Sequence, residues 1–379
     1  MPWGNKSVEE LRERFLYQVK QCGNISKACR ESGITRRTGY KWIKRKENSE
    51  DLSDRSRKPK RIANRTDVET EELILLVRED NPSWGGRMIH DYLVKQGKKQ
   101  LPCARTCCNI LSRNGCISPE ESLKHQAFIR FAREHCNELW QTDFKGDFPL
   151  LDGNRCYPLS ILDDCSRFAI MIDCKADTKG VKDSFRRAFY CYGLPDSVLS
   201  DNGAQFAGFR GGYTQFERWL MEHDVLPIHG RLMHPQTQGK VERFHRTMKY
   251  EFLKHKQFQN IDDIKKQMEQ WRIKYNEERP HLALNSKSPV EVYAPSKREY
   301  TEKVLKYDYD GYTRKVNNKG YIRFAHWQIY LSETMADTIL EIAENASGDS
   351  FNIYFRNFKI AEIDAINGKL INRKISRHS

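Results

Sequence analysis

The chain has 379 residues, is 38% hydrophobic and 31% charged, and carries a formal net charge of +14 at pH 7. It is too long for one ordinary domain, has no apolar run of about eighteen residues, and opens on Met1-Pro2-Trp3-Gly4-Asn5-Lys6 without a signal-peptide core, so neither a membrane span nor export is expected. The positive excess points to a polyanionic partner, nucleic acid ahead of a membrane surface, because no basic amphipathic anchor stands out.

The charge is uneven. Residues 1–65 hold 18 Lys/Arg against 8 Asp/Glu, whereas residues 139–252 hold 15 of each. In the basic end, Val8, Leu11, Phe15, Leu16 and Val19 share one helical face, which Gly23-Asn24 closes. A short helix from Ile25, a turn at Gly33 and a second helix capped by Thr35 describe a helix-turn-helix. That second helix offers Arg36, Arg37 and Lys41 to DNA, with Trp42 and Ile43 turned inward. The alternative is a three-helix protein-binding module with a solvated basic face. From Lys46 to Thr66 apolar residues nearly vanish, so residues 1–66 read as this module plus a basic linker, which either follows phosphates or is a plain flexible tether.

Residues 67–118 read as a second three-helix unit. Its first helix ends at Asn81-Pro82, its second starts at Ser83-Trp84, and its third runs from Pro102 to Leu111 before Asn114-Gly115. The cysteine count of eleven is odd and irregularly spaced, which suits reduced thiols in the cytoplasm. Cys103, Cys107, Cys108 and Cys116 form no Cys-x-x-Cys and have no paired histidines, so zinc is not expected. Residues 119–137 read as a helical connector carrying Phe128, Ile129 and Phe131.

Residues 138–298 hold the chemistry. Strands are predicted over 139–148, 156–163, 167–173, 196–201 and 225–229, with helices near 178–191, 214–223 and 239–253, which together argue for a mixed α/β sheet. Asp143 lies in the first strand. Asp201 ends the fourth, before the turn residues Asn202-Gly203. Glu242 opens a helix whose apolar residues fall at Val241, Phe244, Met248 and Phe252. Two carboxylates at strand ends and one on a helix can converge on a hard divalent cation. Asp163 and Asp164 precede Ser166-Arg167 between two strands and read as hairpin-turn residues. An amphipathic helix follows over 261–277. Residues 299–379 turn to short alternating segments at 312–316, 320–324, 327–331, 338–343, 351–355 and 358–363, which suggest a small antiparallel β-barrel. Arg314, Lys315, Arg323, Arg356 and Lys359 there would either bind DNA or line a wet face.

The order Asp143, then Asp201-Asn202-Gly203, then Pro235-x-x-x-Gly239-x-Val241-Glu242 resembles the catalytic core of DDE transposases and retroviral integrases, most of all bacterial insertion-sequence transposases. Residues 84–115, with Trp84-Gly85-x-Arg87 and Pro102-x-x-x-Thr106, resemble the second helix-turn-helix of the same proteins, which implies that Arg105 and Thr106 face the DNA. The segment between Asp201 and Glu242 is a few residues longer than is usual in that family, and Gly208-Phe209-Arg210-Gly211-Gly212 is a natural place for the extra loop. The resemblance implies a ribonuclease H-like core in which the first and fourth strands lie side by side and bring Asp143 to Asp201. It implies two Mg²⁺ (or Mn²⁺) ions held by Asp143, Asp201 and Glu242. Gln238 and Lys249 match family positions that approach the DNA end, and His245, which with Lys249 shares the helix face of Glu242, is expected to contact DNA with them. The function implied is a DNA transposase that binds terminal inverted repeats, nicks them by metal-dependent hydrolysis and joins the 3′ ends to target DNA. A homodimer or larger oligomer on DNA is expected, in the cytoplasm at the nucleoid. The alternatives are a catalytically inactive, transposase-derived DNA-binding regulator and a ribonuclease H-like nuclease without strand transfer.

Overall fold

The computed structural model describes residues 7–48, 51–54, 66–117, 133–208, 212–230, 239–345 and 347–378. The chain forms two compact units, Met1–Arg65 and Thr66–Ser379. Among the described residues no helix is long and apolar enough to cross a membrane.

The first unit is three helices. Ser7 and Glu10 form a reciprocal capping box that starts α1 (Val8–Cys22), and Gly23 ends it in the left-handed region. Asn24 caps α2 (Ile25–Glu31), and Thr35 caps α3 (Arg36–Glu47) through Thr38 N–H. Phe15, Ala28, Cys29, Trp42 and Leu52 make the core, with Ile43 packed against it. Gly39 lets α3 approach: a Cβ there would meet Cys29 Sγ at 2.6 Å and Phe15 Cζ at 2.9 Å. Arg37 and Lys41 remain exposed, as does Arg36, which also donates to Ser26 Oγ.

The second unit begins with α4 (Val68–Asp80), α5 (Gly86–Lys95) and α6 (Ala104–Arg113) around Ile74, Trp84, Ile89, Leu93, Ile110 and Leu111. Arg105 is exposed at the start of α6. Residues 118–132, most of the expected connector helix, lie outside the described residues, and residues 133–139 are not helical.

The core sheet contains β1 (Trp140–Phe144), β2 (Phe148–Pro149), β3 (Arg155–Asp163), β4 (Ala169–Lys175), β5 (Ser197–Ser200) and β6 (Leu226–His229). β3 pairs antiparallel with β1, β2 and β4, while β1–β5 and β5–β6 are parallel. The strand expected over 139–148 is broken, because Gly146 takes φ +82° between β1 and β2. One face is covered by α7 (Val181–Tyr192) and α8 (Gln215–Glu222) through Phe185, Phe189, Phe216 and Trp219. The other is covered by α9 (Gly239–Glu251) and α10 (Ile261–Glu277) through Phe244, Met248, Met268 and Trp271. Helices on both faces of this mixed sheet make the ribonuclease H-like core. Tyr300 still packs in that core, so its apolar contacts run past the expected boundary at 298.

The C-terminal part is antiparallel, as the alternation predicts. β7 (Tyr312–Lys315) is followed by the separate hairpin β8 (Tyr321–Phe324) and β9 (Trp327–Tyr330). Then come β10 (Ile339–Glu344), β11 (Ser350–Phe355), β12 (Phe358–Asp364), β13 (Leu370–Asn372) and β14 (Ser376–Arg377). Their sheet runs β13-β12-β11-β10-β7, with β14 beside β12, and its ends do not pair, so no closed barrel forms among the described residues.

Candidate active site

Asp143 sits near the end of β1, opposite Ser160 on β3. The last parallel pair between β1 and β5 is Gln141 with Leu199. Two residues further along each strand stand Asp143 and Asp201, so the register carries these carboxylates to the same edge of the sheet. The electrostatics agree. Burial drives the Asp143 carboxyl up to about 7, and the negative charges of Asp201 and, less strongly, Glu242 add to the effect. The Phe144 N–H and the Lys145 ammonium oppose it. Asp201 and Glu242 therefore both act on Asp143, although the three come from a strand, a turn and a helix.

Their surroundings differ. His245 Nδ1 stands 3.7 Å from Asp143 Oδ2, and its Nε2 is 3.0 Å from Ser160 Oγ. Burial and the nearby Lys145 push this imidazole down to about 3, so it is neutral near pH 7. Asp201 closes a turn by accepting the Gly203 N–H at 3.0 Å, and Asn202 donates to the Gly230 carbonyl. Just before it, Ser200 Oγ lies 3.2 Å from His229 Nδ1, whose Nε2 lies 2.8 Å from buried Glu217. Glu217 also closes a capping box with Thr214 at the start of α8. β5, β6 and α8 are thus tied together behind Asp201.

Glu242 is exposed in the first turn of α9. Two contacts dock that turn onto the sheet. The Val241 N–H donates to Gln141 Oε1 at 3.3 Å, and Lys240 Nζ pairs with the carboxylate of Asp164 and donates to its backbone carbonyl at 3.0 Å. Gln141 Nε2 in turn donates to Asp164 Oδ1 at 2.7 Å. Asp163 and Asp164 do flank the β3–β4 turn, but they are not solvated turn residues: their exposures are 0% and 1%. Asp163 accepts from Asn137 N–H, Ser166 N–H and Ser166 Oγ. Asp163 stands opposite Trp140, at the far end of β1 from Asp143. Their role is to lock the scaffold.

A cavity of about 430 Å³ opens beside Asp143 and Glu242, lined by Phe144, Lys145, His245, Arg246, Lys249 and Tyr250. Lys249 is exposed at this site, where a DNA contact was expected. His245 corrects that expectation. Its ring is buried and turned to Ser160 and Asp143, because it falls with Val241, Phe244 and Met248 on the buried side of α9, whereas Glu242 stays exposed. Gln238 lies outside the described residues. Sequence reasoning passed over Lys145, Arg246, Tyr250, Lys240, Glu217 and His229. For Lys145 the signal existed: it stands two residues after Asp143, the spacing that returns a side chain to the same face of a strand.

Among the described residues no three His, Cys, Asp or Glu side chains form a ready-made cage for a metal ion. The donor chemistry nevertheless fits a hard divalent cation. Burial raises the Asp143 carboxyl and its acidic neighbours add to the shift, so a cation would offset the charge gathered here, and oxygen donors completed by water and phosphate are the usual Mg²⁺ set.

Comparison with known proteins agrees in outline. A helix-turn-helix domain family matches residues 11–60 and a homeodomain-like domain family residues 38–111. Two integrase core domain families match residues 133–235 and 223–289. The uncharacterized 31.7 kDa protein of insertion element IS407 from Burkholderia multivorans is 29% identical over 160 residues, covering 42% of this chain and 56% of that protein. The uncharacterized 39.2 kDa protein of insertion element IS476 from Xanthomonas euvesicatoria is 26% identical over 160 residues, 42% of this chain and 44% of that protein. The chain thus spans about half the length of each relative. Among solved structures, the HTLV-2 integrase catalytic core domain in complex with magnesium aligns with a TM-score of 0.34 and 16% identity, over 42% of this chain and 99% of that one.

Proposed function

We propose that this chain, which belongs to the bacterial insertion-sequence transposases with an integrase-type core, works as a DNA transposase that nicks element ends and joins their 3′ ends to target DNA. One observation carries the reading: the β1–β5 register brings Asp143 and Asp201 toward one sheet edge, and Glu242 lines the same cavity as Asp143. Carboxylates gathered at an open site suit a cation that arrives with an anionic substrate. Asp143, Asp201 and Glu242 would hold one or two divalent ions, which when bound supply nucleophile activation and stabilisation of the leaving oxygen.

The chain's own residues do the rest. Neutral His245 orients Asp143 from one side while Ser160 fixes the imidazole. The Glu217–His229–Ser200 chain holds the strand end that presents Asp201. Lys240 and Asp164 set the first turn of α9 and with it Glu242. Lys145, Arg246 and Lys249 place positive charge around the cavity and offset the phosphates of an incoming strand. Residues 1–66 and 67–118 supply DNA-end recognition through Arg36, Arg37, Lys41 and Arg105, residues 138–298 the chemistry, and residues 299–379 an accessory sheet. Synapsis of two ends calls for a homodimer or larger assembly.

The test is to incubate the purified chain with labelled element ends and Mg²⁺ and to map the breaks. Nicks at the element termini followed by strand joining support the reading, and binding without any nick supports the inactive regulator instead.

A further inference from the structure

The C-terminal sheet does not stand apart from the catalytic core. α8 lies between the two, and its apolar residues divide accordingly. Phe216, Trp219 and Leu220 pack with the core sheet. Tyr213, just before the helix, and Met221 within it are buried instead with Leu331, Met335 and Ile360 of the C-terminal part. The Tyr213 hydroxyl donates to the Ile360 carbonyl at 2.5 Å, and the Tyr213 N–H donates to Ser332 Oγ at 3.2 Å. Arg218 Nη1 donates to the Thr334 carbonyl at 2.7 Å, and Arg356 Nη1 to the Glu222 carbonyl at 3.1 Å. Both ends of α8 are therefore fastened to the C-terminal part. Apolar burial joined to these bonds makes a firmer tie than exposed ion pairs would. The start of the same helix also governs Asp201. Thr214 Oγ1 donates to the Phe206 carbonyl at 3.1 Å, the Phe206 N–H to the Gly203 carbonyl at 2.8 Å, and the Gly203 N–H to the Asp201 carboxylate. A second route runs from Glu217, in the first turn of α8, through His229 to Ser200. Both routes begin beside Tyr213.

We infer that the C-terminal sheet is part of the scaffold of the active site, with Tyr213 as a positioning residue that seats the start of α8 in that sheet and so fixes Asp201 relative to Asp143. The inference rests on the transposase reading and gives residues 299–379 a task in the chemistry, separate from any contact with DNA. Asp201 stands on a turn just past the end of β5, so its place depends on where the segment leading to α8 is anchored. Tyr213 acts only through its neighbours Thr214 and Glu217. A carboxylate left loose by a fraction of an ångström holds a cation less well, although its charge is unchanged.

The experiment uses the full chain. Manganese binding is followed by the loss of the free Mn²⁺ signal in electron paramagnetic resonance, and nicking of a labelled element end is followed over a range of Mg²⁺. Tyr213→Leu should weaken Mn²⁺ binding about tenfold and raise the Mg²⁺ midpoint of nicking by a similar factor. Saturating Mg²⁺ should recover most of the rate, and end binding without metal should be unchanged. Tyr213→Phe, which keeps the ring in place, should recover most of the wild-type affinity. Ile353→Ala opens a cavity in the same apolar cluster on β11, and it should lower the melting temperature without moving either metal midpoint. If Tyr213→Leu does not fold, Ser332→Ala carries the test: it removes the acceptor of the Tyr213 N–H and should move both midpoints about threefold. Wild-type metal midpoints in the variant that folds, or an equal shift in Ile353→Ala, overturn the inference. A wild-type chain that neither holds Mn²⁺ nor nicks sinks the transposase reading instead, so the two failures are distinguishable.

Discussion

Asp143 is where charge, burial and position meet, and its titration is open to measurement. The free carboxyl titrates near 3.8, and in the folded chain it is pushed up to about 7. The folded state therefore holds this proton more tightly than the unfolded chain does. Its contribution to stability is complete below about pH 3.8 and is lost as the pH rises through 7. In metal-free protein, Asp143→Asn should gain about 1–4 kcal/mol relative to wild type between pH 4 and pH 8, read by urea denaturation. An equal difference at both pH values would show that the Asp143 carboxyl is not raised in the folded chain. Asp164 behaves differently. Its carboxylate is buried with Lys240, Gln141 and the Arg133 N–H around it, so Asp164→Asn leaves a buried ammonium short of its partner. The expected loss is about 1–3 kcal/mol of stability, checked by thermal unfolding, with no direct effect on metal binding. An undiminished melting temperature would show that the network is slack.

At the scale of elements, the site depends on three strand or helix ends being held in register. Glu217 serves two of them, capping α8 and anchoring His229 on β6. Glu217→Ala removes both contacts and should cost about 1–3 kcal/mol by denaturant midpoint, while Glu217→Gln keeps the cap and loses less. If both variants unfold alike, the histidine contact rather than the cap is what matters. Much of this scale was legible. Thr35 as a cap, the breaks at Gly23 and Asn81, and the helix over 261–277 follow from local chemistry, which acts within a turn. The order Asp143, Asp201, Glu242 was legible because each carboxylate stands at the end of a readable element. The supports were not. Lys240 meets Asp164 across 76 residues of sequence, and His229 meets Glu217 across a strand and a turn, pairings that only the sheet order creates. His245 shows the limit of helical spacing: i+3 from Glu242 names a face without saying that β3 lies under it. Alternation likewise revealed the C-terminal strands but not whether the outermost ones would meet.

Across the whole molecule, recognition and chemistry are assigned to different residues, and charge reflects the division. Residues 1–65 carry the basic excess, with Arg37 and Lys41 exposed on α3, while the core is balanced. Lys41→Ala in the full chain should weaken binding to element ends and reduce the salt slope by about one, measured by anisotropy titration over a range of salt. The variant should retain nicking at saturating DNA, and loss of nicking there would put Lys41 in the chemistry instead. The central claim is that Asp143, Asp201 and Glu242 act as one metal-holding set. The most direct measurement is the rate at which Asp201→Asn and Glu242→Gln nick a labelled element end in Mg²⁺, with end binding followed in parallel. Each change keeps size and removes one ligand charge, so nicking should fall ~10³-fold, equivalent to about 4 kcal/mol of transition-state stabilisation, while end binding stays intact. Nicking at the wild-type rate in either variant would contradict the account.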